Sequence, residues 1–376
     1  MTKKENGGTE HFKVAVIAVL LGLLAGAVMM LILGKNPFMA YYNLLQGCGF
    51  MPKSKYAGGK SILTDLSSYI DFLTPMLFAA LSVAVALKGG LFNIGISGQM
   101  LVGAFLATTI VGYSSLPAVL AKPLVIIIAA LGGMLIGALI GFLKARFNIN
   151  EVVSSIMLNY TAEYIITFFI NTKYVDPISR QSKEISKASR LTLHQILIGG
   201  YRYDLAISFI LAIAAIFIVR FILERTVLGY DIKAVGQNKE AARYAGIKVN
   251  RCITLSMAIS GLLAGLAGAS YYLGYFASMQ PKTLPSTGFD AIAVCLVGGS
   301  SPIGIFFASL FLEIIAKGST YMSSQAGLEA EIASVIMGLI LLTSACSAFI
   351  LEFLNKRKKI KSEKSQKSEE RQGGGN

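Results

Sequence analysis

Tryptophan is absent from this chain, histidine occurs twice, cysteine four times, and only 14% of the residues are charged. Each scarcity excludes something. Cys48, Cys252, Cys295 and Cys346 are scattered with no paired spacing, so neither a disulfide framework nor a metal site is indicated, and His11 and His194 cannot make a cluster. Without Trp, any aromatic belt at a membrane surface has to be built from Tyr and Phe. With 54% hydrophobic residues and a mean hydropathy of +0.64, a chain of 376 residues is far more apolar than a soluble globular domain of that length. It reads as a polytopic membrane protein.

The charge that is present has a pattern. A formal net charge of +14 could suggest nucleic acid, but the basic residues sit between apolar runs or in the tail, where Lys356, Arg357, Lys358, Lys359 and Lys361 cluster. Such placement is explained by cytoplasmic retention and anionic lipid, and no nucleic acid is expected. Val14–Leu33 is 20 residues long and is followed by Gly34-Lys35-Asn36-Pro37, with no small-x-small cleavage site, so it is read as a retained first span rather than a signal peptide. Further apolar runs occupy Phe72–Leu87, Leu91–Val111, Pro123–Leu143, Val152–Ile170, Leu205–Leu223, Cys252–Phe276, Phe289–Val297, Pro302–Ala316 and Ile332–Phe353. The expectation is an all-α, polytopic membrane helical bundle of about ten spans, including broken or re-entrant segments, with Phe289–Val297 too short to cross alone. Lys144, Arg146, six basic residues from Arg225 to Arg251, and the tail place these connections with the N-terminus in the cytoplasm of a cell-membrane protein. The layout is a cytoplasmic N-terminus over 1–13, a membrane domain over 14–353 and a basic, disordered cytoplasmic tail over 354–376. One conflict stands: the connection Asn171–Arg202 must be external, yet it carries six basic residues, Lys173, Arg180, Lys183, Lys187, Arg190 and Arg202.

Glycines four apart, Gly133, Gly137 and Gly141 in one run and Gly261 and Gly265 in another, let helix backbones approach closely in lipid and argue for tight packing. Two other places break the helical pattern: Gly89 to Gln99, where Asn93, Ser97 and Gln99 interleave with glycines, and Gly288-Phe289-Asp290 followed by Gly298 to Gly304. Irregular backbone at membrane depth is tolerated only where protein or a wet cavity surrounds it, and interruptions in both halves of a chain point to a transport pathway. Asn93, Ser97, Gln99, Asn159, Glu163, Phe289 and Asp290 are therefore the pathway candidates. Glu163 and Asp290 serve equally well as helix–helix hydrogen-bonding groups, whereas Glu313 and Lys317, four apart on one face, are assigned to a structural pair.

Two motifs mislead. Gly58-Gly59-Lys60-Ser61 imitates a phosphate-binding loop but has Ser54 where that loop needs glycine, and Ile96-Ser97-Gly98-Gln99 loosely imitates a nucleotide-binding signature with no Walker motif anywhere. No cofactor is expected to bind this chain, which has no nucleophile–base constellation and reads as no enzyme. The polar insert Leu228–Arg251 is more informative. Asn238 suits a helix N-cap, Lys239 to Ala245 are helix formers with Glu240 at the favourable end of the dipole, and Gly246 is a ready stop. Ala241, Ala242 and Ala245 supply a smooth face, and so short a helix becomes sensible in a groove of a partner.

Gly229-Tyr230-Asp231-Ile232-Lys233-Ala234-Val235-Gly236, with Asn238, Glu240-Ala241-Ala242-Arg243 and Ala245-Gly246-Ile247, resembles the cytoplasmic coupling segment of the membrane subunits of ATP-binding cassette importers. The family is the one that takes up ribose and other simple sugars, nucleosides and branched-chain amino acids. Gly90-Leu91-Phe92-Asn93-Ile94-Gly95, Asn150-Glu151-Val152-Val153 with Met157-Leu158-Asn159-Tyr160, and Gly288-Phe289-Asp290-Ala291-Ile292-Ala293-Val294 are most similar to its nucleoside-type permeases. The resemblance implies a cytoplasmic ATPase that hydrolyses ATP with Mg, a second permease copy or paralogue, and an extracytoplasmic substrate-binding lipoprotein. It also implies that Asn238, Glu240, Ala241, Ala242, Arg243, Ala245, Gly246 and Ile247 couple to the ATPase. A ribose-like sugar permease is the alternative, and an ion-coupled transporter a more distant one.

Overall fold

The computed structural model describes residues 5–345 apart from 57, 199 and 328–330; the expected basic tail and Cys346 lie outside the described residues. Two compact units are present among the described residues, 5–37 with 331–345, and 38–327. In the first, α1 (Glu5–Ile32) packs along α13 (Glu331–Ala345), with the Thr343 hydroxyl donating to the Ala18 carbonyl at 3.3 Å.

The second unit begins with α2 (Pro37–Gly47) and α3 (Ile62–Lys88). The Lys60-Ser61 pair that imitates a phosphate loop is resolved as a helix cap: Ser61 Oγ accepts from Thr64 N while Thr64 Oγ1 accepts from Ser61 N at 3.0 Å. From Leu73 to Ala86 every residue of α3 is buried, which makes it the axis of the bundle. Around it stand α4 (Ile96–Ala107, continued by a π-helical turn over Thr108–Gly112), α5 (Ala118–Phe147), α6 (Glu151–Phe169) and α7 (Ile207–Arg225). The insert forms α8 (Val227–Gln237) and α9 (Lys239–Tyr244), followed by α10 (Val249–Gly268, prolonged as a π-helix over Ala269–Phe276), α11 (Thr287–Val297) and α12 (Pro302–Ala326). The glycine rows predicted to pack do so: α5 and α10 cross backbone to backbone, and a Cβ on Gly137 would lie 2.9 Å from the Gly261 Cα.

Two expectations need correction. Among the described residues six helices are long and apolar enough to cross a membrane, or seven with α1 and α2 counted as one broken span, so the expected count of about ten is not reached there. The physical reasons are local. Leu91–Gly95 is not helical, which shortens the Leu91–Val111 run to the apolar helix Ile96–Gly112; α11 has only 11 residues; and the last run is described only as far as 345. The fold is also not purely helical. Within and just beyond the long connection after α6, β1 (Thr192–Ile198) pairs antiparallel with β2 (Tyr201–Ala206), in register Thr192↔Ala206 and Ile198↔Tyr201. The hairpin is stapled to the start of α3, Thr64 Oγ1 donating to the Arg202 carbonyl at 2.6 Å.

Candidate functional site

The insert folds as its sequence dictates. Thr226 caps α8 by accepting from Gly229 N at 3.1 Å, and Asn238 Oδ1 accepts from Glu240 N and Ala241 N, both at 3.0 Å. Gly246 stops α9 at φ +82°, a left-handed conformation that glycine adopts without steric cost. Glu240 and Arg243 pair at 3.1 Å on an exposed face, an interaction worth little for stability. The three alanines do not share a face: Ala242 turns inward to pack with Val235, Leu91 and Ile253, while Ala241 and Ala245 are exposed beside Tyr244, which is 93% exposed. Gly246 and Ile247 border a cavity of about 430 Å³ shared with Leu228, Asp231 and Arg251.

Beneath the insert lies the first interruption. Gly236, at the end of α8, meets Gly89 and Gly90, so that a Cβ on Gly236 would sit 2.8 Å from the Gly90 nitrogen; Gly90 itself has φ +68°. The chain then runs unhelically to Gly95, leaving backbone groups that lipid cannot satisfy. Side chains supply the partners. Asn93 Oδ1 accepts from Gly95 N at 2.9 Å, and its Nδ2 donates to Gln99 Oε1 at 3.0 Å and to Ser260 Oγ at 2.8 Å. Asn159 bridges the break from α6, with Nδ2 donating to the Ile94 carbonyl at 3.0 Å and Oδ1 accepting from Gly98 N at 2.9 Å. Ser97 Oγ donates to the Pro285 carbonyl at 2.8 Å, and Gly288 lies against Ser97, so the interruptions from the two halves of the chain meet.

Asn93 and Gln99 thus bond each other, while Ser97 and Asn159 are separately satisfied by backbone at Pro285, Ile94 and Gly98, and all four are buried. The other three candidates are placed differently: Phe289 is 43% exposed, Asp290 is half-buried on α11, and Glu163 is half-buried on α6, within electrostatic reach of Tyr272. The assigned Glu313–Lys317 pair does not form among the described residues; Lys317 Nζ instead donates to the Tyr275 hydroxyl at 2.7 Å and lies 5.3 Å from the centre of the Phe72 ring.

At the other end of α7, whose 19 residues span about 28 Å at 1.5 Å each, the hairpin roofs a second cavity of about 370 Å³. Its wall includes Lys60, Glu184, Arg190, His194, Asp204 and Tyr275. The sequence excluded a histidine cluster and said nothing of what His194 meets; the fold gives it two partners. Nδ1 lies 3.2 Å from Asp204 Oδ1 and Nε2 lies 3.0 Å from the Gly274 carbonyl. Both partners are acceptors, so only the protonated ring donates to both. The Asp204 hydrogen bond, assisted by the Gly274 carbonyl and the charges of Asp204 and Asp71, raises the His194 pKa against the opposing effect of burial. A raised folded-state value means that the contribution to stability is complete below the ordinary histidine range, about 6.5, and is lost as pH climbs through the raised value. Hydrogen exchange over 192–206 should therefore accelerate as pH rises from about 6 to about 9 beyond the intrinsic base catalysis, and His194→Gln should remove that excess. Exchange in the two proteins with the same corrected pH dependence would refute the pairing. Asp71, buried in α3, accepts from Thr192 Oγ1 at 2.7 Å. Sequence reading passed over Asp71; its one signal was a carboxylate bordering an apolar run.

A tightly crossed helical unit interrupted at two meeting points, with an amphipathic insert at one end of a span and a polar cavity at the other, defines a membrane transport component. Residues 66–345 match the family described as branched-chain amino acid transport system / permease component, and the chain belongs to that family. It is 36% identical over 369 residues to the nucleoside ABC transporter permease protein NupB of Lactococcus lactis subsp. cremoris, covering 96% of this chain and 98% of the relative. It is 35% identical to the guanosine ABC transporter permease protein NupP of Bacillus subtilis, over 93% of this chain and 97% of that protein. A more distant relative, at 28% identity over 90% of this chain and 88% of its own length, is the glucose ABC transporter permease protein TsgB13 of Haloferax volcanii.

Proposed function

We propose that the chain is the membrane-spanning permease subunit of an ATP-binding cassette importer that moves a nucleoside into the cell. The observation that carries the reading is the end-to-end similarity to two permeases named for nucleosides and guanosine. ATP and Mg²⁺ are handled by a separate cytoplasmic ATPase, a second permease copy or paralogue completes the membrane part, and an extracytoplasmic lipoprotein delivers the ligand. In this reading both termini and the insert face the cytoplasm, and the hairpin faces outward. The segment from Asn238 to Ile247 docks on the ATPase, with the exposed Tyr244 as its most prominent side chain. Closure of the ATPase pushes α8, and the Gly236–Gly90 contact passes the displacement to the break held by Asn93, Gln99 and Asn159. The buried amides then hold the rigid break about which the pathway alternates, and Phe289, Asp290 and Glu163 remain its candidates for direct contact with ligand.

Reconstitution of the assembled complex in proteoliposomes tests the reading. Uptake of labelled guanosine is expected to require internal or external ATP on the ATPase side and to vanish with a hydrolysis-deficient ATPase. Transport by this chain alone on an ion gradient would overturn it. The glucose permease relative favours a second ligand, a simple sugar; stimulation of ATPase activity by a sugar and by no nucleoside would decide for it.

A further inference from the structure

The hairpin cavity contains a ring that the fold leaves uncovered. Phe276, the last residue of the π-helical end of α10, is 44% exposed, and it shares the cavity wall with Lys60, Arg190 and Asp204, charged groups that have no place against lipid. A large aromatic side chain turned into a polar space forgoes the gain of burial, and such a surface marks a place where something binds. The ring is also held in position. Tyr271 lies against it at 4.8 Å and Tyr275 meets it edge to face at 4.8 Å. Tyr275 in turn packs on Phe72 at 5.3 Å while its hydroxyl accepts from Lys317 Nζ at 2.7 Å. Backbone closes the wall beside the rings: Ile185 N donates to the Ala277 carbonyl at 3.0 Å, and Leu191 N to the Leu273 carbonyl at 2.8 Å. The connection that carries Glu184 and Arg190 is therefore tied on both sides of the two rings. Ala277, at φ +60°, adopts a left-handed conformation unfavourable for a residue with a Cβ, and it turns the chain directly after the exposed ring.

The ligand follows from the surfaces. At about 370 Å³ the cavity has the size of a small-molecule site, with aromatic rings on one wall and two charged pairs on another, Glu184 with Arg190 and His194 with Asp204. A flat ring suits a flat ring, and stacking is indifferent to which base is present, since every base has a π-face. Each charged pair sets a donor beside an acceptor, which suits hydroxyl groups because a hydroxyl both donates and accepts. A planar, uncharged base joined to a sugar divides its surface in this way. A simple sugar offers only the second half.

We propose that the hairpin cavity is a receiving site for the nucleoside at the outer end of the pathway, where the base stacks on Phe276 and the ribose hydroxyls meet the Glu184–Arg190 and His194–Asp204 pairs. The proposal rests on the nucleoside reading above and deepens it. Because the chain contains no tryptophan, Phe276→Trp puts its only indole on the cavity wall. The full-length variant in detergent is excited at the red edge of indole absorption, where tyrosine and nucleosides do not absorb. Its fluorescence should fall saturably with guanosine and with uridine at up to millimolar concentration and should not respond to ribose. Tyr244→Trp, on the exposed ring of the insert, should respond to none of the three. In the assembled complex, Phe276→Leu should slow guanosine uptake about tenfold at subsaturating concentration, a factor within what stacking on one ring supplies. Phe276→Tyr, which keeps the ring, should stay within about twofold of wild type. Elution of each variant as one monodisperse species establishes that it folds. Fluorescence unmoved by both nucleosides, fluorescence moved equally by ribose, or equal uptake by the leucine and tyrosine variants would overturn the site. A wild-type complex that hydrolyses ATP and moves no nucleoside defeats the functional reading instead and is recognised without any variant.

Discussion

Exchange of Gly265 for leucine is expected to unfold the α5–α10 crossing and with it most of the 38–327 unit. At this crossing there is no room on either helix: a Cβ on Gly265 would meet Ala129 backbone, with the Ala130 Cα at 3.2 Å, and a Cβ on the facing Gly133 would lie 2.6 Å from Gly265 N and 2.7 Å from its Cα. Rigid backbone cannot yield as a flexible side chain does, so the helices have to separate along the whole seam from Gly133 to Gly141. Overpacking of this kind costs about 3 kcal/mol or more, a large share of the roughly 5–15 kcal/mol that holds an ordinary domain. Thermal unfolding in detergent, followed by gel filtration, should register a drop of several degrees at the least. Gly338→Ala is the control, since nothing lies within 4 Å of a Cβ there. A Gly265→Leu protein melting with the wild type would mean that the crossing is looser than described.

The second large effect is expected from Gly236→Val. The valine would strike the Gly90 nitrogen and the Gly89 carbonyl carbon, at 2.8 and 2.9 Å for the Cβ alone. This contact joins a short peripheral helix to the end of α3, so its loss should spare the bundle and displace α8. Uptake should fall by about a hundredfold, the size of a 2–3 kcal/mol disturbance at a mechanical contact, while the ATPase still binds and hydrolyses ATP. The ratio of ATP hydrolysed to ligand moved is the decisive readout, because general destabilisation lowers both together. Val235 and Ala242 bury their side chains with Leu91 in the same cluster, which gives displacement of the insert a packed route to the break.

Much of this was legible in one dimension. Asn238 and Gly246 were readable as cap and stop because capping is decided within a few residues, and the glycine rows were readable as packing faces because a four-residue period is a property of one helix. The two interruptions were visible as glycines and amides inside apolar runs. Their meeting was not: Ser97 and Pro285 are 188 residues apart, and nothing in either segment names the other. Reading Asn93 and Asn159 as ligand groups and finding them bonded to backbone at Gly95, Ile94 and Gly98 is instructive, since the same amide that suits a polar ligand also suits orphaned peptide groups.

By itself the sequence determined that this chain belongs in lipid, that it carries a capped, charged insert between two spans, and which family it resembles; composition, period and short-range capping suffice for these. Tertiary structure alone decided which apolar runs form helices long enough to cross a membrane and that β1 and β2 form a hairpin in and beyond a connection expected only to be external. It also decided that His194 finds Asp204 and Gly274, and that Lys317 leaves Glu313 for Tyr275. Each depends on where remote segments come to lie, and the partner of a buried polar group is set by the packing around it, so α12 could advertise an ion pair in sequence while the fold gave its lysine a tyrosine hydroxyl to bond.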